Sequence, residues 1–152
     1  MFQELSEQEE LRREKLAELK KLGVDPYPAE EFKINVTAQD IKENYERDKL
    51  NYKDISIAGR IMSVRDMGKA AFAVIQDSTD RIQIYVRRDD ICPNEDDKVL
   101  YDIVWKKLID LGDIIGIEGY VFTTKTGETS IHVTSFKLLS KSLKPLPVVK
   151  TD

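Results

Sequence analysis

The spacing of apolar positions changes along the chain. Over "LSEQEELRREKLAELKKLG" (5–23), Leu5, Leu11, Leu16, Leu19 and Leu22 recur at loose helical intervals, which predicts a helix with a narrow buried stripe and a wet remainder. Ser6 is placed to cap it, Glu7, Glu9 and Glu10 suit its positive end, Lys20 and Lys21 suit the other end, and Gly23 stops it. "VDPYPAEEF" then imposes an extended path, because Pro26 and Pro28 each disfavour helix in the residue before them. A second short helix is predicted at "TAQDIKENYERD", with Thr37 as cap and Asp40 three residues on.

From Asp54 the period becomes two. "DISIAGRIMSVR" sets Ile55, Ile57 and Gly59 against Ser56, Ala58 and Arg60, and a glycine within a strand predicts a bulge or bend there. "AAFAVIQD" and "RIQIYVRR" form a hairpin around "DSTD", and a helix of about a dozen residues fits "KVLYDIVWKKLIDLG". Two more strands, "DIIGIEGYVFTT" and "TSIHVTSFKLL", flank the turn "KTGE". The expected architecture is mainly β with α: a partly open five-stranded Greek-key barrel of the OB type, with a helix between strands three and four and an N-terminal helical extension. The expected divisions are an extension over 1–50, the barrel over 51–142 and a linker over 143–152, whose "SLKPLPVVKTD" has little to bury.

The hairpin makes the faces countable. If it closes on Asp77 and Asp80, Gln76 faces Arg81, Val74 faces Gln83 and Phe72 faces Tyr85. Ile82, Ile84 and Val86 then share an inner face with Ala71, Ala73 and Ile75. Phe72, Tyr85, Gln83, Arg81 and Arg87 share the outer one.

Composition narrows the chemistry. One cysteine, Cys92, excludes an internal disulfide, and with a single histidine there is no Cys/His zinc cluster. Cys92 reads as an incidental loop thiol and His132 as a strand residue with a satisfied hydrogen bond. No run approaches the roughly 20 apolar residues of a membrane span, and the acidic start does not look like a signal peptide, so a cytoplasmic protein without membrane contact is expected. The net charge of -4 is unevenly spread: residues 54–88 carry six basic and four acidic side chains, 89–118 three and nine, and 137–150 four and none. The strands outside the acidic 89–107 insertion are therefore neutral to basic.

A solvent-facing sheet with two aromatic rings, an amide and guanidinium groups suits unstacked bases: rings stack, amides read edges and arginine meets phosphate. OB barrels bind oligonucleotides on strands two and three and with the loops joining strands one to two and four to five. Those loops, "RDMGK" and "TKTGET", are expected to bring Arg65, Lys69, Lys125 and Glu128 to the same side. Glu128 is informative, because a carboxylate beside phosphates is repelled unless it accepts a hydrogen bond. Uracil offers an N–H between two carbonyls, where cytosine presents an acceptor. "TKTGETS" lacks the "GxxxxGK[ST]" spacing of a phosphate loop, so nucleotide binding there is not expected. The basic residues of the first helix alternate with equally dense glutamates, which favours packing over contact with nucleic acid.

"RREKLAELKKLGVDPYP", "AGRIMSVRDMGKAAFAVIQD", "RIQIYVRRDD", "DLGDIIGIEGYVFTTKTGE" and "LLSKSLKPLP" together closely resemble the N-terminal tRNA-anticodon-binding domain of class II lysyl-tRNA synthetases. "TKTGE" and "SKSLKPLP" resemble the lysyl branch more than its aspartyl and asparaginyl relatives. The acidic "DICPNEDDKVLYDIVWKK" departs from the family by its length.

The resemblance implies that Phe72 stacks on the central anticodon uridine of lysine tRNA, that Gln83 and Glu128 hydrogen-bond to it, and that Arg65 helps hold it. It also implies a parent enzyme, typically homodimeric, whose catalytic domain binds ATP, lysine and magnesium and charges tRNA through a lysyl-adenylate. That domain would follow "PLPVVKTD"; its motifs are absent from this sequence, so the chain itself is expected to bind without catalysing and to need no cofactor. Two alternatives remain beside it. One is a general single-strand-binding OB module or an aspartyl/asparaginyl-type domain; the other is a protein-interaction domain using the helix and the acidic insertion.

Overall fold

Helix α1 runs from Phe2 to Lys21 in the computed structural model, which describes residues 2–24, 28–92 and 97–143, the side chains of 2–6 excepted. Ser6 therefore lies within α1 and does not cap it; the glutamine, glutamates and leucine around it are good helix formers, and nothing there stops the helix from extending. Its end is as expected. Gly23 takes φ +78°, Gly23 N donates to Lys20 O and Val24 N to Leu19 O, which satisfies the last carbonyls. The buried stripe is narrower than the leucine pattern: Leu19 is fully buried, whereas Leu11 and Leu22 are exposed. Pro26, "PNED" (93–96) and the closing segment from Lys144 lie outside the described residues.

Helix α2, Ala38–Asn44, starts as read: Asp40 N donates to Thr37 Oγ1 at 3.1 Å. A second contact fixes it to the barrel, since Ala38 N donates to Asp77 Oδ2 at 2.8 Å. Burial alone would raise the Asp77 carboxyl, but hydrogen bonds from the Thr79 hydroxyl and the N–H groups of Ala38, Thr79 and Asp80 hold it below its ordinary value.

Five strands follow: β1 Ile55–Asp66, β2 Ala70–Gln76, β3 Arg81–Arg87, β4 Ile114–Thr123 and β5 Thr129–Ser140. They close into a barrel in the order β1-β2-β3-β5-β4. The barrel is closed where a partly open one was expected, because β3 and β5 pair in parallel through Gln83 with Ser130, Ile84 with Ile131 and Tyr85 with His132. The β2–β3 register is the counted one: Gln76 opposite Arg81, Val74 opposite Gln83 and Phe72 opposite Tyr85. Ala71, Ala73, Ile75, Ile82, Ile84 and Val86 are all buried, and Ile57, Ile61, Ile115, Ile117 and Ile131 join them from the other strands.

The irregularity in β1 is not at Gly59. That residue stays paired, opposite Ile115, and a Cβ there would press on Ile75 and on the Gln76 carbonyl. The one-residue register shift falls between Ile61, opposite Ile75, and Ser63, opposite Val74, with Met62 as the extra residue. It has a large consequence, because a bulge reverses which residues point outward. Ahead of it Ile55, Ile57 and Ile61 face the core; beyond it Arg65 pairs with Phe72 on the outer side.

Between β3 and β4 lie a four-residue turn, α3 (Arg88–Ile91), and α4 (Leu100–Leu108). Helix α4 is nine residues long and wide-turned, Ile109 N donating to Val104 O five residues back, and so is shorter than the dozen expected. It ends where Asp113 Oδ2 accepts from Asp110 N and turns the chain into β4. Tyr101, Val104, Trp105 and Leu108 bury its inner side, with Trp105 edge-on to Phe136 at 5.5 Å. Cys92 lies in the loop after α3, as expected, but it is buried. No helix of the described residues is long and apolar enough to cross a membrane.

A buried ion cluster ties α1 to the barrel. Lys141 Nζ donates to Asp110 Oδ2 at 2.8 Å and to Asp113 Oδ2 at 2.7 Å, and Lys15 Nζ reaches Asp110 Oδ1 at 2.7 Å. Arg12 adds hydrogen bonds to the carbonyls of Leu111 and Ser142, so the charged face of α1 packs, as its mixed charge suggested. The Lys141 side chain is 1% exposed and that of Asp113 0%.

Removing one partner of such a cluster leaves the others buried and uncompensated, so Lys141→Ala is expected to cost about 3–5 kcal/mol in urea unfolding. An unchanged midpoint would show that the cluster contributes nothing. Burial alone would raise the Asp110 carboxyl, but Lys141 and Lys15 overcome it and hold it below its ordinary value of 3.8. Its stabilisation is thus complete above that value and lost as pH falls through the lower folded value. Melting temperature should drop on acidification from pH about 4, and Asp110→Asn should flatten that drop.

Candidate nucleic-acid interface

The outer face of β2 and β3 opens into a cavity of about 630 Å³, within the range of small-ligand clefts. It is lined by Arg65, Met67, Phe72, Gln83, Tyr85, Phe122, Thr124, Lys125, Thr126 and Glu128. Arg65, Phe72, Gln83 and Glu128, separated by up to 63 positions in sequence, thus meet in one hollow. Lys125 joins them. Lys69 does not line it, because the chain turns away there and its carbonyl accepts from Arg88 N.

Phe72 is half-buried on β2 and has a partner on each side. The guanidinium of Arg65 lies 5.2 Å from its ring centre, within cation–π range, and the ring of Tyr85 lies 4.9 Å away, tilted by 38°. The aromatic surface is therefore braced from both neighbouring strands. Arg81 and Arg87, which share the polar row of β3, are engaged elsewhere: Arg81 Nε donates to Gln76 Oε1 at 2.8 Å and Arg87 pairs with Asp90.

Gln83 is held by a residue that sequence reasoning missed. Its Nε2 donates to Ser130 Oγ at 3.1 Å, and Ser130 Oγ in turn donates to the Glu128 carbonyl at 3.4 Å. Ser130 is fully buried although it lies on the outer face, under Gln83 and beside the residues of β4. Nothing in the local pattern marks it, since only the parallel pairing of β3 with β5 puts it opposite Gln83. The chain fixes which end of the amide is donor and leaves Gln83 one further N–H and its carbonyl for a ligand.

The turn between β4 and β5 presents Glu128. Thr124 N donates to Glu128 O at 2.9 Å, Glu128 N donates to Thr124 Oγ1 at 3.0 Å, and Gly127 at φ +90° allows the tight reversal. The backbone of Glu128 is therefore fixed, while its carboxylate is exposed and makes no hydrogen bond or ion pair among the described residues. Arg65 and Lys125 supply cations at the rim. Phe122, also missed, follows from counting outward across this turn, where it pairs with Ser130.

Beyond Tyr85 the rings continue. His132 on β5 lies 5.4 Å from Tyr85, edge-on, and its Nε2 hydrogen-bonds Asp90 Oδ2, the satisfied partner expected for it. Tyr120 on β4 stacks on His132 at 4.8 Å with 14° between planes. The arrangement offers flat apolar faces, oriented amide groups, an open carboxylate and peripheral cations. That is a surface for planar heterocycles on a negatively charged chain, and among the described residues no group of His, Cys, Asp and Glu is arranged to hold a metal.

Comparison with known proteins agrees in kind. The family model described as an OB-fold nucleic acid binding domain, of the tRNA anticodon type, matches residues 55–139. A lysine–tRNA ligase of Azobacteroides pseudotrichonymphae is 55% identical over 147 residues, covering 97% of this chain and 29% of that protein. One of Porphyromonas gingivalis is 55% identical over 148 residues, covering 97% and 25%, and one of Staphylococcus haemolyticus 46% over 154 residues, covering 97% and 30%. The chain spans less than a third of the length of these relatives. Matched by that model over more than half its length, and by lysine–tRNA ligases along nearly all of it, the chain belongs to the family of OB-fold nucleic acid binding domains, in the form that lysine–tRNA ligases carry.

Proposed function

We propose that this chain reads the anticodon loop of lysine tRNA, with the central uridine seated in the cavity between Phe72 and Glu128. Phe72 stacks on the base, Glu128 accepts its N–H, the free N–H of Gln83 donates to a flanking carbonyl, Arg65 beside the Phe72 ring helps hold the base, and Lys125 meets the backbone phosphates. The observation that carries this reading is the unpartnered Glu128 carboxylate, opening into the same cavity as Phe72 and the oriented Gln83 amide. A carboxylate there repels phosphate and is useful to a base whose ring nitrogen offers a proton between two carbonyls, as uracil N3 does, where cytosine N3 presents an acceptor instead.

In the parent enzyme, which the relatives suggest is a lysine–tRNA ligase, the domain would hold the anticodon while a catalytic part outside this chain joins lysine to the acceptor end. ATP and magnesium would serve that part, and the chain's own residues offer them no phosphate loop. A homodimeric parent working in the cytoplasm, with 1–50 as extension, 51–142 as barrel and 143–152 as linker, completes the proposal.

Titration with anticodon stem-loops checks the base assignment. A central uridine should be preferred to cytidine by about 1–3 kcal/mol, the cost of one unmatched buried hydrogen-bonding partner. Gln83→Ala and Glu128→Ala should erode that preference more than overall affinity, whereas Lys125→Ala should weaken all sequences alike and reduce the salt slope by about one. Equal binding of uridine and cytidine would favour a general single-strand module. Binding insensitive to both Phe72→Ala and salt would leave the sheet face idle and favour a protein-interaction role for α1 and the acidic insertion.

A further inference from the structure

The rings on the outer face form one transverse row, each from a different strand and each in register with the next. Phe72 pairs with Tyr85, Tyr85 with His132, and His132 with Tyr120. The proposed uridine uses only the Phe72 end. At the other end Tyr120 is 39% exposed, and it is not a loose surface ring, because it lies nearly parallel on His132. His132 is itself fixed, its Nε2 held by the Asp90 carboxylate and its ring met edge-on by Tyr85 and Phe122. Opposite Tyr120 on the β1 side the sheet has ended, since β1 begins at Ile55, which pairs with Gly119.

We infer that Tyr120, backed by His132, is a second stacking platform, which takes a nucleobase of the same RNA strand beside the one held at Phe72. This rests on the anticodon reading above. Three strand spacings separate the two ends, about 14 Å, a span crossed by a short single strand. Single OB barrels accommodate about 4–16 nucleotides, so a strand that enters at Phe72 and crosses the face meets the Tyr120 ring as well. Among the described residues the platform is left without an open edge reader comparable to Glu128, because Glu118, the neighbouring outward carboxylate of β4, is already engaged by Ser135 Oγ. It therefore takes any base by its flat face and adds affinity without sequence preference. Glu118, which accepts from Ser135 Oγ on β5 and makes no ion pair among the described residues, disfavours phosphate at this end and favours approach of the uncharged base.

The test uses the whole 152-residue chain and a lysine anticodon stem-loop, with abasic substitutions made singly at each loop position. Tyr120→Ala should weaken the intact stem-loop about 5- to 100-fold. Tyr120→Phe should bind as the parent does, and Tyr120→Leu, apolar but not flat, should behave like the alanine variant. At one loop position other than the central uridine, the abasic RNA should bind the parent and Tyr120→Ala equally. Unchanged binding by Tyr120→Ala would overturn the inference, as would a loss of the same size with every abasic RNA. If Glu128→Ala removes the uridine preference while Tyr120→Ala has no effect, the second platform fails and the anticodon reading stands. If Tyr120→Ala weakens binding with that position dependence while Glu128→Ala does not alter the uridine preference, the platform stands and the uridine assignment fails.

Discussion

Three parallel residue pairs close this barrel, and the interface depends on them. Gln83, Ile84 and Tyr85 of β3 lie against Ser130, Ile131 and His132 of β5, elements nearly fifty residues apart. Ile84 and Ile131 bury their side chains inside, so the seam is held by the core, while the flanking pairs face outward. One of those pairs supplies the serine that orients the Gln83 amide, and the other puts His132 against Tyr85. The seam also sets the turn carrying Glu128 beside β3. An open barrel of the same strands would leave Gln83 without Ser130 and Tyr85 without His132.

The bulge at Met62 is the second constraint. Strand periodicity has no tolerance for an odd insertion, since one extra residue exchanges the two faces of everything beyond it. Here that exchange carries Arg65 to the side of Phe72, where its guanidinium lies 5.2 Å from the ring centre. The glycine signal in β1 concerns something else: Gly59 allows close packing against Ile75, three positions before the bulge.

What could be read from the sequence follows the range of each interaction. The β2–β3 faces were countable because two short alternating runs and a four-residue turn leave little freedom, and the Thr37 cap was visible because its partner is three residues away. Ser6 failed as a cap because capping residues are common and the residues before it are good helix formers. The length of α4 was overestimated because the Asp113 carboxylate that turns the chain at Asp110 is a tertiary detail. Arg65, Phe72, Gln83 and Glu128 were picked out by chemistry and resemblance. Ser130 and the Tyr120–His132 pair stayed hidden, since strand order is not encoded in the period of any single strand. Cys92 looked incidental for the same reason, its burial depending on how α3 and α4 fold over it.

The placement of Trp105 has a spectroscopic consequence. The chain's single tryptophan is wedged edge-on to Phe136 beneath α4, while Tyr85 and Tyr120 lie in the ring row on the outer face. The molecule thus carries one optical reporter set away from the outer face. Indole emission follows the joint between α4 and the barrel and registers unfolding or loosening there. The tyrosines cannot be separated in this way, because Tyr45 and Tyr52 pack on each other ahead of the barrel and Tyr101 is buried on α4, so it is the indole that reads one place in the fold without any added label.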